Sequence, residues 1–342
     1  MKYNLLGNTG LKVSELCLGT MTFGSSGGRF AAINGVDQAG ADALTKRSLD
    51  AGINFIDTAN VYTEGQSEEM TGQALHNLGV NRYDVVLATK VRGKMGDGPN
   101  DVGLTRKQII AQAEASLKRL QTDYIDLYQI HSYDPLTPLE ETLRALDDLV
   151  RSGKVRYIGA SNLAAWQLMK ALDISHYQHL ERFASLQAYY TVAGRDLERE
   201  LVPLLLDQKV GLMVWSPLAG GFLSGKYTRE NQQAEGRRGG SGFDFPPVNK
   251  DLAFNILDKL RPMAEAKGST VASLALAWLL HQKVVSTVII GAKKMEQLED
   301  NLTAVDVKFT PEELQQLDEV SKLAPEYPGW MLGFTGGDRQ VE

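Results

Sequence analysis

Eight short apolar, β-branched runs alternate with eight longer segments of helical period, and polar residues collect where the runs end. No change in composition marks a second domain. Together these observations predict one α/β domain, a (β/α)8 barrel of the TIM type with an N-terminal β-hairpin plug and an extra C-terminal helix. The length of 342 residues suits a barrel, and 43% hydrophobic against 23% charged residues supplies a large core.

Residues 1–13 read as a hairpin turning at Gly7-Asn8-Thr9-Gly10 and placed to plug one end of the barrel. The strands are expected at Glu15–Gly19, Asn54–Thr58, Asp84–Thr89, Tyr124–Ile130, Val155–Ala160, Phe183–Gln187, Gly211–Ser216 and Thr287–Gly291. Helices are expected at Ala41–Ala51, Ser67–Leu78, Thr105–Leu120, Pro138–Ser152, Leu163–Leu172, Leu197–Gln208, Val271–Gln282 and Met295–Ala304. Thr105 caps one of them, Thr137-Pro138 puts proline in a first helical position, and Gly52, Gly79 and Gly153 stand where helices should stop. The glycine-rich stretch 220–250, with Arg237-Arg238-Gly239-Gly240-Ser241-Gly242, is too long for a routine connection and reads as a mobile binding loop. A last helix starts near Thr310-Pro311-Glu312-Glu313, before an aromatic tail holding Tyr327, Trp330 and Phe334.

Charge and composition exclude several classes. The formal net charge of -6 opposes a polyanion, so nucleic acid is not expected as a partner. The longest apolar run, Val271 to Leu280, is half a membrane span, and the N-terminus lacks the apolar stretch of a signal peptide. A single cysteine, Cys17, forms no internal disulfide, which fits the cytoplasm.

In parallel α/β barrels the loops that follow the strands build one concave face, so the strand ends are read together. They are Gly19-Thr20-Met21, Asp57-Thr58, Lys90, His131, Ser161-Asn162, Gln187, Trp215-Ser216-Pro217-Leu218 and Gly291-Ala292-Lys293-Lys294. Taken singly, Asp57 could cap a loop, Lys90 could snorkel to solvent, His131 could be a bonded rim histidine, and Tyr62 could simply pack. Taken jointly, an acid, a lysine and a histidine on three consecutive strands converge on one pocket, with a tyrosine one short loop away. A phenol with a pKa of about 10 is a weak acid at neutral pH unless a cation stabilises its anion, and Lys90 is placed to be that cation. Asp57 would keep Lys90 charged, and neutral His131 would hydrogen-bond a carbonyl oxygen.

At these residues the chain resembles the aldo-keto reductases, in the bacterial branch similar to the potassium-channel β-subunit-like members, over essentially its whole length. The segment from Gly52 to Tyr62 (Gly52-Ile53-Asn54-Phe55-Ile56-Asp57-Thr58-Ala59-Asn60-Val61-Tyr62) is similar to the family's first signature. Ala88-Thr89-Lys90, the run Asp126 to His131, Gly159-Ala160-Ser161-Asn162 and Trp215-Ser216-Pro217-Leu218 follow in order. The resemblance implies a catalytic tetrad of Asp57, Tyr62, Lys90 and His131, with Tyr62 as general acid for NADPH-dependent reduction of an aldehyde or ketone. It further implies that Ser161, Asn162 and Gln187 bind the nicotinamide carboxamide and that Trp215 stacks on the nicotinamide. Thr20, Met21, Asp57, Ser216, Pro217, Leu218 and Gly220 join the cofactor contacts. Lys226 with one of Arg237 or Arg238 would clamp the pyrophosphate, and Gly291, Lys293, Gln297, Asp300 and Asn301 would hold the adenosine phosphate. Lys293 and Lys294 at a helix start favour the extra phosphate of NADPH over NADH.

Other motifs carry less. Gly220 to Lys226 has P-loop spacing, but Tyr227 replaces the Ser or Thr, and no Gly-x-Gly-x-x-Gly fingerprint is present. His176 and His179 have no third ligand, so no metal is expected, and Glu140-Glu141 decorate a helix's first turn. Two rival readings use the same residues: an NADPH-binding regulatory subunit, like the channel β subunits, which typically lack the histidine, and a dehydrogenase working toward oxidation with Tyr62 as base. Around Tyr62 and His131, the residues Phe23, Arg29, Phe30, Tyr133 and Trp330 are expected to wall a pocket for an apolar or ring-bearing small-molecule carbonyl. A homo-oligomer is compatible with the sequence.

Overall fold

The computed structural model describes residues 1–25, 33–231 and 245–336. Two short strands, β1 (Tyr3–Leu5) and β2 (Lys12–Ser14), pair antiparallel. Eight more follow: β3 (Leu16–Gly19), β4 (Phe55–Asp57), β5 (Val86–Val91), β6 (Ile125–Ile130), β7 (Val155–Ser161), β8 (Phe183–Tyr189), β9 (Gly211–Trp215) and β10 (Val285–Ile290). These close into a barrel in the order β10-β3-β4-β5-β6-β7-β8-β9, every neighbouring pair parallel. The (β/α)8 architecture expected from the sequence is what forms.

Strands buried on both faces read as near-continuous apolar runs, and their two faces feed two cores. Inward side chains of Cys17, Phe55, Val86, Ala88, Leu127, Met213 and Ile289 make a cluster inside the barrel. Outward ones, among them Leu16, Leu18, Ile56, Leu87, Tyr128 and Ile158, pack against the helices in the main core. The hairpin does plug the barrel: Leu6 and Val13 join the interior cluster. Asn4 Nδ2 donates to the Ser286 carbonyl at 2.9 Å. At Gly7, with φ +59°, an added Cβ would lie 2.3 Å from the Ala184 carbonyl oxygen and 2.7 Å from the Gly211 nitrogen, so only glycine fits there. With the lower end closed by apolar side chains, the polar residues are left at the upper, C-terminal rim.

The helices are α1 (Gln38–Asp50), α2 (Gln66–Asn77), α3 (Arg106–Arg119), α4 (Leu139–Arg151), α5 (Ala165–Gln178), α6 (Leu201–Gln208), α7 (Lys250–Ala266), α8 (Val271–Leu280), α9 (Met295–Leu302), α10 (Pro311–Ser321) and α11 (Gly329–Gly336). Helix α7, which lies between β9 and the expected crossover helix α8, is not among the helices the sequence predicts. Its start is capped by Asn249 Oδ1, which accepts from the Leu252 amide at 3.1 Å. Phe254, Ile256, Leu257 and Leu260 form its buried face, whose packing outweighs the hydrogen bond lost at Pro262 inside the helix.

Other boundaries also move. Pro138 is a cap residue with ψ 136°, and α4 begins at Leu139. Residues Asp196–Glu198 form a separate 3-10 turn, so α6 starts at Leu201. A 3-10 turn over Arg82–Asp84 delays β5, which places Lys90 inside that strand, paired with Gln129, and not just beyond its end. Of the 220–250 loop, residues 232–244 lie outside the described residues, as do Arg29, Phe30, Arg237 and Arg238. Among the described residues no helix is long and apolar enough to cross a membrane.

Candidate active site

Strand alternation puts Asp57 of β4 and Lys90 of β5 on the inward face at the top of the barrel. Both are buried, Lys90 completely. Its Nζ donates to Asp57 Oδ2 at 2.6 Å, to the Thr58 carbonyl at 2.7 Å and to the Tyr62 hydroxyl at 3.3 Å. Tyr62 opens a tight turn in which Thr63 and Glu64 take left-handed φ values of 47° and 56°. Such strain in non-glycine residues persists only where the surroundings enforce it, and it is common at functional sites. The turn folds the phenol back over the strand ends, where the His131 ring meets it edge-on at 5.7 Å between centroids. The four residues expected to form a tetrad are therefore brought together.

Charge and burial compete at Tyr62. Burial pushes its phenol above the usual tyrosine range; Lys90 opposes this, while Asp57 adds to it. The sequence-based expectation that Lys90 would pull the phenol down is thus reversed in the net, because desolvation of a phenolate outweighs one nearby cation already paired with a carboxylate. Burial alone would lower Lys90, but Asp57 and the Tyr62 hydroxyl hold it above its ordinary value. Lys90 is a cation and Tyr62 a protonated phenol at neutral pH.

Asp57 has further partners that the sequence did not single out. Its Oδ1 accepts from Gln129 Nε2 at 3.0 Å and from Gln187 Nε2 at 2.9 Å. Gln129 hid inside the apolar strand β6. The signal available was its position two residues before His131, hence on the same inward face. Gln187 was expected to hold a carboxamide, and its amide nitrogen is instead committed to Asp57, which leaves its Oε1 for that role.

The remaining expected residues divide. Asn162, at φ 54°, donates to the His131 carbonyl at 3.0 Å and to Ser161 Oγ at 2.9 Å, and accepts from Trp215 Nε1 at 3.1 Å. One connected group therefore holds the indole at the rim. Trp215 lies between Tyr189, 5.2 Å away, and Phe245, stacked at 5.8 Å and 10°; neither aromatic neighbour was foreseen. Ser216 is left-handed at φ 50° and its Oγ accepts from the Gly220 amide at 3.0 Å, which shapes the turn through Pro217 and Leu218. Gly291, Lys293, Lys294 and Gln297 are exposed where β10 passes into α9, and the Lys293 amide donates to Gln297 Oε1 at 2.8 Å. Lys226 is exposed beside the Tyr227 ring.

Other expected contacts are buried or have partners within the fold. Thr20 is fully buried, with its hydroxyl on Ser67 Oγ at 2.9 Å, whereas Met21 next to it is half-buried. Asp300 Oδ1 accepts from Thr270 Oγ1 at 2.8 Å, tying α9 to the start of α8, and Asn301 is buried. Phe23 belongs to the main core and is wholly buried, so it does not wall an open pocket. Tyr133 is half-buried against Trp166, and its carbonyl accepts from Arg92 Nε at 3.1 Å. Trp330 sits on α11, a helix with no buried residue, against Tyr327. Gly220 to Lys226 contains a short 3-10 turn, Phe222–Ser224, and opens no α-helix among the described residues that follow it directly; His176 and His179 are exposed.

Comparison with known proteins gives the family. The profile of the Aldo/keto reductase family matches residues 15–322. The chain is 39% identical to the uncharacterized oxidoreductase YrpG of Bacillus subtilis, over 94% of this chain and 96% of that one. It is 39% identical to a protein of Oryza sativa named as a probable voltage-gated potassium channel subunit beta, covering 95% and 98%. With versiconal hemiacetal acetate reductase of Aspergillus parasiticus the identity is 36%, covering 93% and 96%. The chain belongs to the aldo/keto reductase family of oxidoreductases.

Proposed function

We propose that this protein reduces an aldehyde or ketone to an alcohol with NADPH, the proton passing from Tyr62 to the carbonyl oxygen. The observation that carries the reading is the buried chain Asp57–Lys90–Tyr62, with the His131 ring beside the phenol. The rim fits a nicotinamide cofactor. Asn162 and the Oε1 of Gln187 suit a carboxamide, a nicotinamide ring would stack on the indole of Trp215 only by displacing Phe245 from it, and the exposed Lys293 and Lys294 stand at the N-terminus of α9, where no side chain caps the helix. A Cβ built on Gly291 would meet nothing nearer than the Gly19 carbonyl oxygen at 3.7 Å, so the space over that strand end is open.

When bound, NADPH supplies the hydride. Tyr62 holds the proton at its hydroxyl until the carbonyl oxygen gains charge, and Lys90 stabilises the phenolate left behind. His131 aims the oxygen, and Asp57 keeps Lys90 charged. A steady-state panel of aldehydes, quinones and polycyclic ketones with NADPH tests the reading; absence of turnover on all of them would sink it.

Two expectations follow from the charges. Replacing Lys293 and Lys294 by alanine should raise KM for NADPH by about tenfold or more, the scale of a charge-assisted hydrogen bond, and leave KM for NADH nearly unchanged. Equal effects on the two cofactors would remove the lysines from phosphate binding. Because Tyr62 titrates above its ordinary value, kcat/KM for reduction should be flat through neutral pH and fall only in the alkaline range, above about pH 10. Oxidation needs the phenolate, so its rate should climb over the same range. A reduction profile that fell near neutrality would contradict the assignment.

The relatives named as channel subunits favour a second reading, a cofactor-binding regulatory subunit. The complete tetrad argues for turnover. Capture of a membrane partner, combined with no turnover on the panel, would reverse that preference. We place the protein in the cytoplasm, with a small-molecule carbonyl as its partner.

A further inference from the structure

Gln129 is fully buried at an inward position of β6. A buried amide is costly unless both of its ends are bonded. Here both are: Nε2 donates to Asp57 Oδ1 at 3.0 Å, and Oε1 accepts from Gln187 Nε2 at 3.2 Å. The fold makes room for it. A Cβ on Gly159, the residue paired with Gln129 on β7, would come within 3.1 Å of Gln129 Cγ and 2.7 Å of Ser185 Oγ.

A carboxylate only accepts hydrogen bonds, so the direction of both amides is set by Asp57. Gln187 Nε2 is held jointly by Asp57 Oδ1 and Gln129 Oε1, and its own Oε1 is thereby turned to the remaining side. Asp57 carries Lys90 on Oδ2 and two neutral dipoles on Oδ1. Those dipoles spread its negative charge away from Tyr62, whose proton the bare charge would hold more tightly.

We propose that Gln129 is a positioning residue of the reaction: it holds the second oxygen of Asp57, sets the direction of the Gln187 amide, and so tunes the Lys90–Tyr62 proton donor. The inference rests on the reading of Tyr62 as that donor. The charged and titratable groups around the phenol are Lys90 from β5, Asp57 from β4 and His131 beyond β6. Cys17 of β3 lies beneath them, its thiol pushed well up by burial and so neutral across the working range.

Two variants test it. Gln129→Leu keeps the volume and removes the donor. Its kcat should fall about tenfold, the scale of one hydrogen bond to a charged group, and its alkaline limb should move to higher pH, with KM for the carbonyl little changed. In Gln129→Glu the introduced carboxyl, while protonated, can donate to Asp57 as the amide does; once ionised it repels Asp57. Its kcat/KM should approach the wild-type value at the acid end and drop through the range where the wild type is flat.

Tyr62 can also be followed without cofactor or substrate, by ultraviolet difference titration of each protein against its own Tyr62→Phe counterpart; the phenol should titrate higher in Gln129→Leu. If both variants lose only thermal stability and keep the wild-type pH profile and phenol titration, Gln129 merely packs and the inference fails. Turnover by Tyr62→Phe in the otherwise wild-type chain would instead overturn the proton-donor reading itself.

Discussion

Replacing Tyr62 with phenylalanine is expected to lower kcat by about 10²–10⁴-fold, the usual contribution of a positioned acid, while the fold and NADPH affinity stay nearly intact. The geometry makes this a clean substitution. Lys90 keeps both Asp57 and the Thr58 carbonyl when the hydroxyl goes, so no buried cation is left without a partner. A phenylalanine ring can meet His131 edge-on as the tyrosine does. The loss should fall on kcat with little change in KM, because the hydroxyl acts on charge that develops only in the transition state. A matched rise in KM with kcat unchanged would assign Tyr62 to substrate binding.

The second large effect belongs to Lys90. Lys90→Met should cost about 3–5 kcal/mol of stability, because it strips a buried carboxylate of its ion-pair partner. Turnover should fall as well, since the phenol loses the cation that opposes its burial and becomes a still weaker acid. Pairing it with Asp57→Asn separates the two effects. The double variant replaces the ion pair by neutral groups of similar size and should recover much of the stability but none of the turnover, a coupling that urea denaturation and steady-state kinetics read independently.

The same pair links stability to pH. Tyr62 and Lys90 both titrate above their ordinary values in the folded protein, so the stability they contribute is fully present below about pH 10 and lost as pH rises through the folded values.

The barrel was legible because both faces of its strands are buried, which leaves apolar runs dense enough to see without an alignment. The site was legible to the extent that its members stand at strand ends, as Asp57 and His131 do. Three things were hidden for physical reasons. The turn after Val61 depends on left-handed Thr63 and Glu64, residue types that announce no such turn. Gln129 looked like one polar break in an apolar strand because its partners, Asp57 and Gln187, lie on other strands. And the sign of the Tyr62 shift depends on desolvation, which a sequence does not display, whereas the opposing charge of Lys90 can be read directly. Helix α7 was hidden differently: Pro262 breaks its pattern, and its apolar face is recognised only once it meets the core.

If Tyr62 delivers the proton to a carbonyl while NADPH is consumed, a single turnover should show it. Enzyme saturated with NADPH is mixed with an aromatic aldehyde, and loss of nicotinamide fluorescence is followed for the wild type and for Tyr62→Phe. The wild type should oxidise NADPH stoichiometrically with alcohol formed, whereas Tyr62→Phe should bind NADPH as tightly but leave it unoxidised on that timescale. Oxidation by Tyr62→Phe at the wild-type rate would remove Tyr62 from proton delivery.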